Sequence, residues 1–280
     1  HKWFVAHREA VGAPPVTAMF DMEGKEVAVL AKGDENKAMA LGLAKPELFS
    51  FRAADGKTIL YSTLYKPANF DPARKCPLLI SVYGGPSSRG VSNRYSAANP
   101  YCEFGFLVAT IANCGTSARG KAFETAGYLK LGTVDLDDQA AGVRHLAKRP
   151  YVDATRVGIA GHSYGGYMSA LALLRYPEVF HVGVAGAPVT DWKNYDTIYT
   201  ERYMRTPKEN PDGYRIGSCL THAKNLKGKL LLLHGLIDDN VHPANTWQLA
   251  DAFQRAGKQF NMMIYPAANT ASSATPVRCA

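Results

Sequence analysis

The stretch Arg156-Val-Gly-Ile-Ala-Gly161-His162-Ser163-Tyr164-Gly165-Gly166-Tyr167-Met168 decides how the rest of the chain is read. An apolar run leads into it and an apolar-periodic run leads out of it, so Ser163 falls in a sharp turn between a strand and a helix. A serine hydroxyl becomes a nucleophile only when a base takes its proton and its Oγ is held clear of the backbone, and a strained turn supplies the second condition. Gly161 and Gly165 leave room for strand and helix to approach each other around that turn. The backbone N–H of Tyr164 then points to where the oxyanion of a tetrahedral intermediate forms. The bland alternative is a glycine-rich connection around an inert serine.

Outward from this turn, apolar runs of strand length alternate with helical patterns from Lys75 onward. Strands are predicted from Pro77 to Tyr83, Phe106 to Ile111, Val157 to Ala160, Val182 to Ala187, Leu230 to His234 and Phe260 to Tyr265. Helices are predicted from Asp135 to Lys148, Tyr164 to Tyr176 and His242 to Ala256. Continuous Leu/Ile/Val strands between amphipathic helices specify an α/β fold with a mostly parallel, doubly wound sheet covered on both faces. Just before it, alternating runs from Leu48 to Arg52 and Thr58 to Tyr65 flank an Asp55-Gly56 hairpin signal.

From Lys2 to about Leu43, short alternating stretches (Trp3 to Ala6, Val16 to Phe20, Glu26 to Leu30) are broken by Gly, Pro and Asp. So few strands would expose their edges, so residues 1–45 read as the remnant of a preceding all-β domain and 46–280 as the α/β domain. The chain begins at His1 without a Met and reads as a piece cut from a longer polypeptide, or a processed one.

The 280 residues, 46% hydrophobic and 10% aromatic, can bury a sizeable core, which excludes a disordered chain. No run approaches the roughly 18 apolar residues of a membrane span. The net charge of +8 comes from basic residues scattered along the chain, so no nucleic-acid partner is expected. Five cysteines (Cys76, Cys102, Cys114, Cys219, Cys279) are widely spaced, with no C-x-x-C, and indicate neither a metal site nor a disulfide framework. There is no P-loop and no G-x-G-x-x-G after the first strand, so no cofactor is expected.

In this setting a catalytic acid follows the serine in chain order, and a histidine follows the acid. Lys229-Leu-Leu-Leu-Leu-His-Gly235-Leu-Ile-Asp238-Asp239-Asn240-Val241 places two carboxylates just past a buried strand, where open α/β sheets build their sites. Asp238 is the candidate acid. Its alternative role is to cap the helix predicted from His242, which Asp239 fits better.

Three segments together, GHSYGGYMS at Gly161 to Ser169, YDTIYTERYM at Tyr195 to Met204 and HGLIDDNVH at His234 to His242, resemble the catalytic domain of the prolyl oligopeptidase family, most of all its dipeptidyl peptidase IV branch. The resemblance runs from about Pro46 to Pro266, and it implies an α/β-hydrolase fold after the end of a β-propeller. It implies Ser163 as nucleophile and Asp238 as the acid that orients the base. Tyr83, in Val82-Tyr83-Gly84-Gly85-Pro86, matches a tyrosine whose hydroxyl joins the Tyr164 N–H in the oxyanion hole. Val189, Trp192, Tyr195, Tyr199, Tyr164 and Val241 match the pocket for a proline ring, and Asn240 a contact to the substrate carbonyl. The implied partner is a peptide cleaved after Pro or Ala near its N-terminus, with no metal. The resemblance allows a homodimer and favours an exported protein.

The sequence departs from that family where the base belongs. After Asn261-Met-Met-Ile-Tyr265-Pro266 comes Ala267-Ala268-Asn269-Thr270-Ala271, which puts Thr270 in place of the histidine; His242 is the last histidine of the chain. His242 itself lies only four residues beyond Asp238, at a helix start, and matches a non-catalytic histidine of the family. The stretch from Ala267 to Ala280 is small, polar and aperiodic, and lacks the family's final helix; it reads as a truncated or frame-shifted end rather than a selected pseudoenzyme. Cys114, in Asn113-Cys114-Gly115-Thr116, stands where the family usually carries Arg. Activity of this chain is therefore expected to be absent or severely impaired. Two alternatives stay open, a non-catalytic peptide-binding domain and an esterase or acyl hydrolase on the same fold.

Overall fold

The computed structural model describes residues 2–43, 45–96 and 98–270. Its first sheet is three-stranded and antiparallel, in the order β1 (Trp3–Ala10), β2 (Ala13–Asp21), β3 (Glu26–Lys32). A short helix, Glu35–Ala40, comes next, in a segment whose sequence reads as β. Two hydrogen bonds tie this sheet to the segment around residues 93–95: the Val11 N–H donates to Asn93 Oδ1 at 3.0 Å, and the Tyr95 N–H donates to Glu9 Oε2 at 3.2 Å.

The second sheet holds β4 (Glu47–Arg52), β5 (Ile59–Tyr65), β6 (Cys76–Ser81), β7 (Leu107–Ile111), β8 (Val152–His162), β9 (Val182–Gly186), β10 (Lys229–Gly235) and β11 (Asn261–Tyr265). Their order is β11-β10-β9-β8-β6-β7-β5-β4. From β11 to β7 every neighbouring pair is parallel, while β5 and β4 add an antiparallel edge. This is the mixed sheet of the α/β-hydrolase fold. The hairpin read at Asp55-Gly56 joins β4 to β5: Asp55 Oδ1 accepts the Lys57 and Thr58 N–H groups at 2.8 Å each, and Gly56 takes a φ of 70°.

The chain runs from β6 outward to β7, then returns across β6 to lay down β8, β9, β10 and β11 in succession. The strand order therefore reverses between β6 and β8, and the crevice at the carboxyl ends of those two strands is the natural place for a ligand. Tyr83 follows β6 and Ser163 follows β8, so this reversal sets them on adjacent strands.

The helix Tyr164–Arg175 packs on β8 and β9 and is buried along almost its whole length, with Tyr167, Met168, Leu171 and Leu174 fully enclosed. An apolar residue on every side of a helix is what a central core position demands. The helices Val134–Leu146 and Ala244–Arg255 are half-buried and amphipathic.

Two expectations are corrected by the fold. Strand β8 begins at Val152, earlier than the apolar run suggests, because Cys76 and Pro77 of β6 pair with Val152 and Asp153 before the apolar stretch begins. The helix predicted from His242 begins at Ala244 with Pro243 at its N-cap, so neither Asp238 nor Asp239 caps it. The His242 ring takes part instead, its Nδ1 accepting the Ala244 N–H at 3.2 Å.

Candidate active site

Ser163 sits at the end of β8 with φ 58° and ψ −119°, a conformation L-residues rarely adopt. It is held there from both sides: its N–H donates to the Gly186 carbonyl at 2.8 Å and its own carbonyl accepts the Tyr167 N–H at 2.9 Å. A Cβ on Gly161 would lie 2.3 Å from the Val82 carbonyl oxygen, and one on Gly165 2.2 Å from the same atom. Only glycine lets the end of β6 cross so close to the turn, and that crossing brings the segment of Tyr83 beside Ser163.

Tyr164 opens the helix, so its N–H has no acceptor within the helix. Its ring is buried, and its hydroxyl donates to Asp135 Oδ2 at 2.5 Å. The Tyr83 ring is half exposed, its centroid 6.0 Å from that of Tyr164. Partial burial, and then Tyr203, hold the Tyr83 phenol above its ordinary value, which keeps it a donor at neutral pH.

The Tyr83 loop rests on a buried amide network that sequence reasoning missed. Asn113 Nδ2 donates to the Gly84 and Cys114 carbonyls, both at 2.9 Å, and Gln139 Nε2 donates to Asn113 Oδ1 at 3.0 Å and to the Ile111 carbonyl at 2.8 Å. Both amides are fully enclosed, where each hydrogen bond matters most. A polar Asn just past an apolar strand and a Gln amid a buried helical face were the available signals.

Asp238 ends the turn after β10 and is buried. Its Oδ1 accepts the Val241 N–H at 2.9 Å, the Asn240 N–H at 3.1 Å and the Thr270 hydroxyl. Its Oδ2 faces His234 Nε2 at 3.4 Å. That nitrogen donates to the Val241 carbonyl at 2.7 Å, so it carries the ring proton, and Nδ1 accepts the Thr246 hydroxyl at 2.7 Å. Burial pushes His234 below the ordinary histidine range, so the ring is a neutral brace across the turn from His234 to Val241.

The aromatic residues named from the sequence come together. Trp192 stacks on Tyr199 with centroids 6.0 Å apart and 17° between planes, and Tyr195 meets both edge-on at 6.1 and 5.3 Å. Tyr164 closes a further side at 5.5 Å from Trp192. Val189 and Val241 are buried in the same apolar cluster. The Tyr195 hydroxyl donates to Asn240 Oδ1 at 2.9 Å, joining this cage to the Asp238 turn. Asp196 caps the helix Thr197–Met204 through the Tyr199 N–H at 2.7 Å, which sets the start of the helix that carries Tyr199 and Tyr203.

Beside Cys114, the Asp138 carboxylate is held by backbone: it accepts the Ala54 and Cys114 N–H groups at 2.8 Å each. Burial and then the Asp138 charge push the Cys114 thiol up to about 12. Among the described residues no His/Cys/Asp/Glu group is arranged to hold a metal, and no helix is long and apolar enough to cross a membrane.

Comparison with known proteins matches residues 93–274 to the model of the prolyl oligopeptidase family. The chain is 44% identical to human dipeptidyl peptidase 8 over 230 residues, covering 79% of this chain and 26% of that protein. It superposes on the crystal structure of Porphyromonas gingivalis dipeptidyl peptidase 4 with a TM-score of 0.85 and 36% identity, covering 96% of this chain and 39% of the other. The chain thus spans about a quarter of the length of the human relative.

Proposed function

The chain belongs to the prolyl oligopeptidase family of serine peptidases, and from that premise we propose that it is the hydrolase domain of a dipeptidyl peptidase, built to bind a peptide with Pro or Ala before the scissile bond. The observation that carries the reading is the conjunction at the β6/β8 reversal: a serine held at φ 58°, flanked by Tyr83, the Tyr164 N–H and a cluster of packed aromatic rings. In this reading residues 46–280 form the hydrolase domain and residues 1–45 the end of a propeller.

Ser163 Oγ attacks the scissile carbonyl, and the Tyr83 hydroxyl and Tyr164 N–H receive the oxyanion. Trp192, Tyr195, Tyr199, Val189 and Val241 enclose the residue before the bond, and Asn240 orients its carbonyl. In this reading Asp238 would orient a base, but Thr270 takes its Oδ1 and has no basic nitrogen to receive the serine proton. Binding is then retained while turnover is severely reduced. In a Thr270→His chain, turnover of a Gly-Pro anilide should exceed that of a short acyl ester; the reverse preference rejects the peptidase reading in favour of an esterase.

The Thr270–Asp238 bond itself favours a second reading, a domain that binds proline-containing peptides without cleaving them. Labelling of Ser163 in the unaltered chain by an organophosphorus probe, at the speed of an active serine hydrolase, rejects it.

A further inference from the structure

Asp135 lies far from the serine in sequence and no step of acyl transfer calls on it, yet it is fully buried against the site. It stands in the first turn of the helix Val134–Leu146. Its Oδ2 accepts the Tyr164 hydroxyl at 2.5 Å and the Gly132 N–H at 3.1 Å, and its Oδ1 accepts the Leu136 N–H at 3.0 Å. Those backbone bonds fix the carboxylate, so the Tyr164 hydroxyl is drawn to one point.

The Tyr164 ring is in turn a platform. A Cβ on Gly85 would lie 2.7 Å from Tyr164 Cγ and 3.0 Å from both Cδ atoms, so the main chain of the Tyr83 loop rests directly on the ring. The same ring touches Trp192 of the cage and meets Tyr167 edge-on at 5.4 Å. Asp135 and Tyr164 also line one cavity of about 520 Å³, together with Gly84, Leu131, Tyr128 and Tyr203, so the pair is reached from the side of the Tyr83 loop.

We propose that Asp135 is a positioning residue for this site: by holding the Tyr164 hydroxyl it fixes the ring on which the Tyr83-Gly84-Gly85 loop rests, and so sets one wall of the proline cage and the placement of both oxyanion donors. The proposal rests on the peptidase reading for its consequence in binding, and on geometry alone for its consequence in the ring. A charge-assisted hydrogen bond at a buried site is among the stronger ones, so its loss is felt at the ring it restrains.

The test uses the full chain, its Asp135→Asn and Tyr164→Phe variants and the double variant. Affinity for valyl-pyrrolidide, a proline-ring ligand, is read by calorimetry, and the aromatic packing by near-ultraviolet circular dichroism. Each single variant is expected to bind about tenfold more weakly, and the double variant no more weakly than either, because both changes cut the same bond. Unchanged affinity in the single variants, or losses that multiply in the double variant, overturns the proposal. If the unaltered chain itself does not bind the pyrrolidide, the peptidase reading fails and the dichroism decides alone. A change in Asp135→Asn that Tyr164→Phe shares and the double variant does not enlarge sustains the positioning role, and an unchanged spectrum in Asp135→Asn overturns it. Should Asp135→Asn not fold, Tyr164→Phe carries the test, since it keeps the ring and removes only the bond.

Discussion

The hydroxyl of Thr270, just past β11, donates to Oδ1 of Asp238, the carboxylate that comes after β10. A triad acid accepts one N–H of the base and leaves the other ring nitrogen facing the serine. In the proposed reading Thr270 satisfies the acid through its hydroxyl, a group that cannot take up the serine proton as a histidine ring would.

Restoring that acceptor should restore chemistry. Thr270→His is expected to raise Gly-Pro anilide hydrolysis by at least about a thousandfold, a fraction of the roughly millionfold that an intact triad histidine contributes. Initial rates in matched preparations read this, and a rate equal to that of the unaltered chain rejects the assignment of position 270.

The serine turn should tolerate no added carbon. Gly161→Ala places a Cβ against the Val82 carbonyl oxygen, in a residue whose N–H is fixed to the Ala160 carbonyl at 3.0 Å, and is expected to cost about 3 kcal/mol in urea unfolding. A cost under about 1 kcal/mol would show that the strand crossing can relax.

Tyr195→Phe removes one hydroxyl and its bond to Asn240 while keeping the ring in the cage. A bond of this kind contributes about 1 kcal/mol, so binding of valyl-pyrrolidide should weaken about fivefold. Calorimetry on the unaltered and variant chains compares the two directly, and an unchanged affinity separates Asn240 from the binding site.

Acid should act on the fold through two opposed sets of groups. Burial raises Asp135 from 3.8 to about 6, so the native state holds a proton that the unfolded chain has shed, and this contribution grows as pH falls from about 6 towards 3.8. Tyr164, Tyr167 and Tyr199 face the carboxyl, and Arg175 lies beyond Gly132, whose carbonyl its Nη1 reaches at 2.5 Å. Burial lowers His145, His162 and His234 below 6.5, so their contribution is present above that pH and is lost as pH falls through it. Asp135→Asn removes only the first set. Its stability should fall more steeply between pH 6 and 4 than that of the unaltered chain, by up to about 1.4 kcal/mol per pH unit, and parallel slopes would contradict the protonation assigned to Asp135.

Thiol accessibility gives an independent check of the core. Cys102, Cys114 and Cys219 are buried with thiols pushed up by burial, while Cys76 is half-buried at the start of β6. Among these four, brief alkylation at pH 8 should modify Cys76 alone by peptide mapping, and prompt modification of Cys219 would place the segment after Gly217 outside the core.

Local patterning and chain order made the parallel strands and the candidate site residues legible. The apolar strand entering Gly161, the periodic helix leaving Tyr164 and the Leu230 to His234 run announced parallel strands. The succession of Ser163 and Asp238, with no histidine after His242, supplied the order on which the proposed site rests. Such features lie within a dozen residues of one another or concern order alone, and side-chain periodicity reports them directly. The polar start of β8 escaped because its pairing with β6, not its own composition, makes it a strand.

Only the tertiary structure decided which partners meet. Tyr164 finds Asp135 across 29 residues, Asp238 finds Thr270 across 32 and Tyr195 finds Asn240 across 45. The Asn113 and Gln139 amides meet across 26 to hold the Tyr83 loop. These bonds follow from the strand order: β6 between β7 and β8 gathers the segments around Tyr83, Asn113 and Tyr164, while β9, β10 and β11 lie side by side and bring Tyr195, Asp238 and Thr270 to the same end of the sheet. Polarity at a position in sequence says that a side chain can make a hydrogen bond, whereas burial beside a particular strand end determines with which atom it must.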